Sequence, residues 1–196
     1  MSASRETHSR NSSVEHGCVA FCLLLLFGSS GLAGQGAFPG VALGVAVPSG
    51  DYGDTRGTGP LAQLFVVFGG PDRRLRLRLD AEGVWLPARG PDNPVSIPGG
   101  DMRILSGIAN LIIGPRGSEA RPYFLFGVAK QWVSVTNGTN PYGAVPGARA
   151  GFGVEVPIRH WTVRAEIAAH AVLSDFATGH DFGLGTYWPV TVAIQF

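Results

Sequence analysis

Apolar and polar residues alternate with a period of two through most of the chain after residue 37, most strictly in the third of its predicted strands. There Arg74, Arg76, Arg78, Asp80 and Glu82 fall on one side, and Leu75, Leu77, Leu79, Ala81 and Trp85 on the other. A β-strand sorts successive side chains this way and a helix does not. The same reading predicts seven more strands. Val41–Val47 alternates with Gly and Ala. Leu61–Phe68 sets Ala62, Leu64, Val66 and Phe68 against Gln63. Met102–Ile113 is more apolar, with Ser106 and Asn110 on its polar side. Arg121–Ser134 carries Tyr123, Leu125, Gly127 and Ala129 on one side and Lys130 on the other. Ala148–Val156 sets Phe152, Val154 and Val156 against Arg149 and Glu155. Trp161–Leu173 sets Val163, Ala165 and Ile167 against Arg164, Glu166 and His170. In the last run, Trp188, Val190, Val192, Ile194 and Phe196 alternate with Pro189, Thr191, Ala193 and Gln195.

Between the strands lie Gly-, Pro-, Asp- and Asn-rich segments that read as turns and loops. Pro48–Pro60 reads as loop throughout. The connections alternate long and short, which places all long loops at one end of an up-and-down sheet. Eight such strands predict an all-β fold, an eight-stranded antiparallel up-and-down barrel. A soluble barrel of this kind has an apolar interior and a polar exterior. A transmembrane barrel has the reverse.

Three features favour the membrane form. Small residues (Gly127, Ala129, Ala165, Ala169, Ala171) populate the apolar faces, where a soluble core would use larger groups. Aromatics stand near strand ends (Phe68, Trp85, Tyr123, Trp132, Trp161, Tyr187, Trp188, Phe196), as in the interfacial girdles of membrane barrels. Lysine, which soluble sheets use to blunt their edges, is represented by Lys130 alone. The expected lumen then holds Arg74, Arg76, Arg78, Arg149 and Arg164 with Asp80, Glu82, Glu155 and Glu166. Eight strands enclose a space that side chains just fill, so these charges are expected to pair with one another. The opposite face of the last strand (Trp188, Val190, Val192, Ile194, Phe196) is expected to face lipid, with Thr191 and Gln195 inward.

The 196 residues suggest one domain behind a leader. Residues 1–17 carry Arg5 and Arg10, Cys18–Phe27 is an unbroken apolar run, and Gly28–Gly36 is small and Gly-rich. Basic, then apolar, then small is the order of a secretory signal. The run is short of the ~20 apolar residues that a spanning helix needs. The expected division is a signal peptide over 1–36, cleaved between 33 and 37, and a barrel domain over 37–196. Both cysteines, Cys18 and Cys22, fall in the leader, so the mature chain has no disulfide scaffold and no thiolate metal site. Charged residues are 15% against a typical ~25%. The net charge of +1 gives no nucleic-acid footprint.

Motifs of catalysis are scarce. His160, His170 and His180 fall on a turn, a strand and a loop and form no metal set. Asp175, His180 and Asp181 read as a solvated loop. Gly183-Leu184-Gly185 opens no helix and Gly114-Pro115-Arg116-Gly117 is a turn, so neither is a phosphate loop. The Arg74/Arg76/Arg78 ladder reads as part of the lumen network before it reads as an anion site. No catalytic, cofactor or metal residue is expected.

The leader, the first strand running into Val47-Pro48-Ser49-Gly50-Asp51-Tyr52-Gly53-Asp54, and the final Trp188-Pro189-Val190-Thr191-Val192-Ala193-Ile194-Gln195-Phe196 resemble the bacterial eight-stranded outer-membrane β-barrel family, the OmpA-like or OmpX-like porin superfamily. The resemblance implies an integral protein of the Gram-negative outer membrane with membrane lipid as its surroundings. It also implies that the last strand, ending on Phe196, is the signal read by the barrel-assembly machinery. The implied role is non-enzymatic, structural or surface-interacting, with a polar, filled lumen. A narrow pore or small-ligand carrier is the alternative, then a lipid A-modifying enzyme. The lipid A deacylase type resembles a His-x-Ser pair, and His170-Ala171-Val172-Leu173-Ser174 has the wrong spacing for it.

Overall fold

The computed structural model describes residues 36–70, 73–89, 100–117, 119–136, 144–173 and 185–196. The leader and the loop residues Asp175, His180 and Asp181 lie outside them. Eight strands form the barrel: β1 (Ala37–Ser49), β2 (Gly59–Phe68), β3 (Leu75–Leu86), β4 (Met102–Ile113), β5 (Arg121–Val135), β6 (Ala144–Ile158), β7 (Trp161–Val172) and β8 (Gly185–Gln195). Each pairs antiparallel with the next, and β8 pairs back onto β1 to close the sheet. The closing register sets Gly40 opposite Gln195 and Ser49 opposite Thr186. Closure removes both sheet edges and gives every strand two hydrogen-bonded neighbours.

The connections 69–74, 114–120 and 159–160 lie at one end, the short-turn end. The connections 50–58, 87–101, 136–143 and 173–184 lie at the other. The first of these is not loop throughout. Asp51–Thr55 forms one helical turn, α1, closed by the Arg56 N–H donating to the Tyr52 carbonyl at 2.8 Å. A single turn carries no amphipathic period, so alternation cannot announce it.

Two apolar clusters sit inside the barrel. Toward the loops, Leu61, Val84, Leu86, Met102, Ile104, Val133, Val135 and Val172 pack with Tyr52 of α1 and the ring of Tyr187. Toward the short turns, Phe65, Val67, Ile112, Tyr123 and Leu125 pack with Ala42 and Ala193. The expected filled, polar lumen is thus filled in part by apolar side chains. Eight strands enclose a space that side chains just fill, and apolar side chains fill it as readily as polar ones. Gly185 is where α1 reaches the wall: any Cβ there would collide with the Tyr52 ring.

Candidate functional site

The site is the lumen, and strand parity builds it. Within β3, Arg76, Arg78, Asp80 and Glu82 are buried while Leu75, Leu77 and Leu79 are exposed. β6 and β7 place Arg149, Glu155, Arg164, Glu166 and His170 inward by the same alternation. These charged side chains come together in two groups.

The central group has Arg149 and Arg78 bridging three carboxylates. Arg149 donates from Nη1 to Glu82 Oε2 at 3.0 Å and from Nη2 to Glu166 Oε1 at 2.8 Å. Arg78 grips Glu166 with both terminal nitrogens, at 2.7 and 3.0 Å, and its Nε lies 2.9 Å from Asp80 Oδ1. Forked guanidinium pairs of this kind are the geometry in which arginine differs from lysine. Asp80 Oδ2 also accepts from Gln63 at 2.7 Å and Asn110 at 2.6 Å, and Glu166 accepts from the Tyr123 hydroxyl at 2.8 Å. Gly153 makes room for Tyr123, since a Cβ there would come within 2.6 Å of its ring.

His170 is enclosed in a short relay. Gln131 Nε2 lies 2.7 Å from His170 Nε2, His170 Nδ1 lies 2.7 Å from the Tyr187 oxygen, and that oxygen lies 2.9 Å from Glu82 Oε1. One set of protons satisfies all three contacts. The Gln131 amide donates to Nε2, Nδ1–H donates to Tyr187, and the Tyr187 hydroxyl donates to Glu82. Both its ring nitrogens therefore have hydrogen-bond partners within the lumen.

The second group gathers at the short-turn end around one acid. Glu155 is 2.8 Å from Arg76 Nη2, 2.8 Å from Arg121 Nη2 and 3.1 Å from Arg164 Nη2. The ring of Phe65 stands between the groups, with the guanidinium carbons of Arg78 and Arg164 each 5.5 Å from its centroid. At the loop end Arg56 is buried and donates to the Gly100 carbonyl.

Several expectations need correction. Arg74 is exposed; it keeps the lumen parity but precedes β3, beyond the reach of the barrel wall. Arg121, the first residue of β5, is a lumen arginine the expectation lacked, and it stands beside Glu155. Tyr123 and Tyr187 are not interfacial aromatics; both are buried and hydrogen-bonded to lumen carboxylates. Gly127 and Ala129 line the lumen, and Phe124, Phe126 and Val128 face outward in their place. β5 is apolar on both faces, so alternation alone left its orientation undetermined. Arg56 carried no signal, because a lone arginine in a Gly/Asp segment reads as solvated.

The outward face is mostly apolar, with Arg103 and Lys130 exposed on it. Leu43 is 71% exposed and Val128 is 69% exposed, while Glu82 and Glu155 are 0% exposed. Trp85, Trp132 and Trp188 face outward near the loop end, and Trp161 stacks edge-on against Phe196 at 6.2 Å at the short-turn end. Of the final strand, Trp188, Val190, Val192, Ile194 and Phe196 face outward, and Thr191 and Gln195 face in. Buried charged groups inside and a mostly apolar exterior are the reverse of a soluble barrel. The structure is similar to Neisserial surface protein A, with a TM-score of 0.63 over 82% of this chain and 96% of that one, at 14% identity.

The fold is that of the eight-stranded outer-membrane β-barrels.

Within this fold the outer membrane enzyme PagL also matches, at 13% identity over 82% of this chain and 98% of that one, with a TM-score of 0.45. So does Ail, the attachment invasion locus protein of Yersinia pestis, at 14% identity over 82% and 99%, with a TM-score of 0.45. No protein-family model and no curated protein sequence matches the chain. Among the described residues no group of three or more His, Cys, Asp or Glu side chains is arranged to hold a metal ion.

Proposed function

We propose that this chain is an integral outer-membrane protein whose barrel is a non-enzymatic anchor for its long loops. The observation that carries the proposal is the inverted polarity of the wall. An exterior of Leu43, Leu77, Leu79, Phe124, Val128, Phe152 and Val192 suits a hydrocarbon solvent and would drive association in water. Strands of 10 to 15 residues meet the ~9–11 that a tilted strand needs to cross a bilayer. In lipid an unpaired backbone group costs several kcal/mol, and closure between β1 and β8 leaves the sheet without an open edge.

Residues 1–36 serve as the export signal in this reading. The outward set Trp188, Val190, Val192, Ile194 and Phe196 is what the barrel-assembly machinery recognises. The lumen charges have a structural role, holding opposite walls together. The packed apolar section under the loops supports an anchor over a narrow pore or small-ligand carrier, and the enclosure of His170 supports a structural role for that residue. The long loops are the surface left for interaction.

Two experiments test the proposal. Unboiled protein extracted from outer membranes in detergent is expected to migrate faster on gels than boiled protein. Equal migration, together with solubility in the absence of detergent, would contradict the membrane assignment. In planar bilayers the reconstituted barrel is expected to give no discrete conductance steps, and regular steps would replace the anchor with a pore.

A further inference from the structure

The outward wall dips between β2 and β5. Strand register sets Gly83 beside Leu105 and Trp132, Ala81 beside Gly107 and Lys130, and Leu79 beside Ala109 and Val128. Ala81, Gly107 and Ala109 therefore make a low floor among larger side chains, and Gly83 extends it toward the loops. A Cβ added at Gly83 or Gly107 would meet nothing within 4 Å, so the space above the floor is open. The result is a groove of about 550 Å³, lined by Leu64, Val66, Phe68, Leu79 and Val128 and bordered by Lys130. Sites for small ligands span ~300–1,000 Å³.

The second observation is charge. Among the described strand residues, Lys130 and Arg103 are the only charged side chains that face outward, and both are exposed. The acids of the strands, Asp80, Glu82, Glu155 and Glu166, are all buried in the lumen, so no outward carboxylate of the wall meets these two cations. A charge on a lipid-facing wall is costly, most at the midplane and less toward the interfaces. Lys130 lies one outward position deeper than Trp132, and its ammonium nitrogen is 5.9 Å from the Trp132 ring centre. Its stem thus rises along the wall toward the loop end, where Trp85 and Arg103 stand side by side. An apolar groove below two unmatched cations fits the two parts of one lipid, a chain and a negative headgroup.

We propose that this groove binds one anionic membrane lipid, with an acyl chain over Ala81, Gly107 and Ala109 and the headgroup phosphate at Lys130, in the field of Arg103. A second copy of the chain is a poorer occupant. A two-fold contact through this face would bring Lys130 and Arg103 of both copies together, with no outward carboxylate to receive them. The proposal rests on the membrane reading of the wall, which heat-modifiable migration tests separately.

The full chain, purified folded in a non-ionic detergent, is mixed with equal amounts of phosphatidylglycerol and phosphatidylcholine bearing the same acyl chains. Native mass spectrometry then reads the lipid retained. One phosphatidylglycerol per chain is expected, favoured about fivefold over phosphatidylcholine, the preference that one cation near the headgroup supplies. Lys130→Gln is expected to abolish the preference. Gly107→Leu keeps both cations, fills the groove and is expected to weaken retention of phosphatidylglycerol by about fivefold or more. Folding of each variant is read from heat-modifiable migration, and Ala109→Leu carries the same expectation should Gly107→Leu fail to fold. Equal retention of the two lipids by a heat-modifiable chain would overturn the proposal and leave the membrane reading standing. So would an unchanged preference in Lys130→Gln, unchanged retention in Gly107→Leu, or a lipid-free species of twice the chain mass. A chain without heat-modifiable migration would overturn the membrane reading and this proposal with it.

Discussion

The two halves of the lumen are built from the same wall by opposite means. Under the loops, Leu61, Val84, Leu86, Met102, Ile104, Val133, Val135 and Val172 fill the space as a hydrophobic core does. From the middle of the barrel toward the short turns, guanidinium and carboxylate groups share it with the second apolar cluster, and Phe65 of that cluster stands between two arginines. Apolar filling is tolerant, because its energy is spread over many weak contacts and a gap costs in proportion to its size. Ionic filling is unforgiving, because each group holds its place only while its partners hold theirs. The difference predicts where the barrel withstands change.

Arg149→Ala is expected to be the most damaging single change, because it takes from Glu82 its guanidinium partner and leaves Glu166 with Arg78 as its one remaining guanidinium. A loss of about 3–5 kcal/mol is expected, measured by urea unfolding of the barrel in lipid vesicles. A loss under about 1 kcal/mol would mean that water enters the central group. Leu86→Ala, in the apolar section, is expected to cost about 3 kcal/mol in the same assay, with the ionic groups undisturbed. Tyr187 belongs to both halves, with its ring in the apolar cluster and its hydroxyl between Glu82 and His170. Tyr187→Phe keeps the ring and removes the hydroxyl, so a smaller loss of about 1–3 kcal/mol is expected. If Tyr187→Phe is neutral, the relay from Gln131 through His170 to Glu82 contributes nothing to stability.

The same contrast explains what alternation reveals. Where the inward side is charged, as at Arg76, Arg78, Asp80 and Glu82, the sequence assigns each residue to a face. Barrel closure, strand order and the faces of β8 follow from the same pattern. Where the inward side is apolar, both faces look alike. Ile104, Ile108 and Ile112 point in while Leu105, Leu111 and Ile113 point out, and nothing in composition separates them. Tyr123 and Tyr187 resemble girdle aromatics for this reason, since an aromatic near a strand end suits either a lipid interface or a packed lumen. Only the register that sets Tyr123 near Glu166 and Tyr187 near Glu82 decides. Arg74 and Arg121 show a different limit. Both stand at strand ends, and one residue of strand length determines which of them enters the lumen. Arg56 and α1 depend on contacts far along the chain, with Gly100 and Gly185, that no local period encodes.

The inverted wall is tested most directly by its tryptophans. Trp85, Trp132, Trp161 and Trp188 are the four in the chain, and all four face outward. In vesicles of lipids brominated along the acyl chain, their fluorescence is expected to fall sharply, while aqueous iodide quenches little of it. Strong iodide quenching with no effect of the brominated lipid would contradict the arrangement and place these side chains in water.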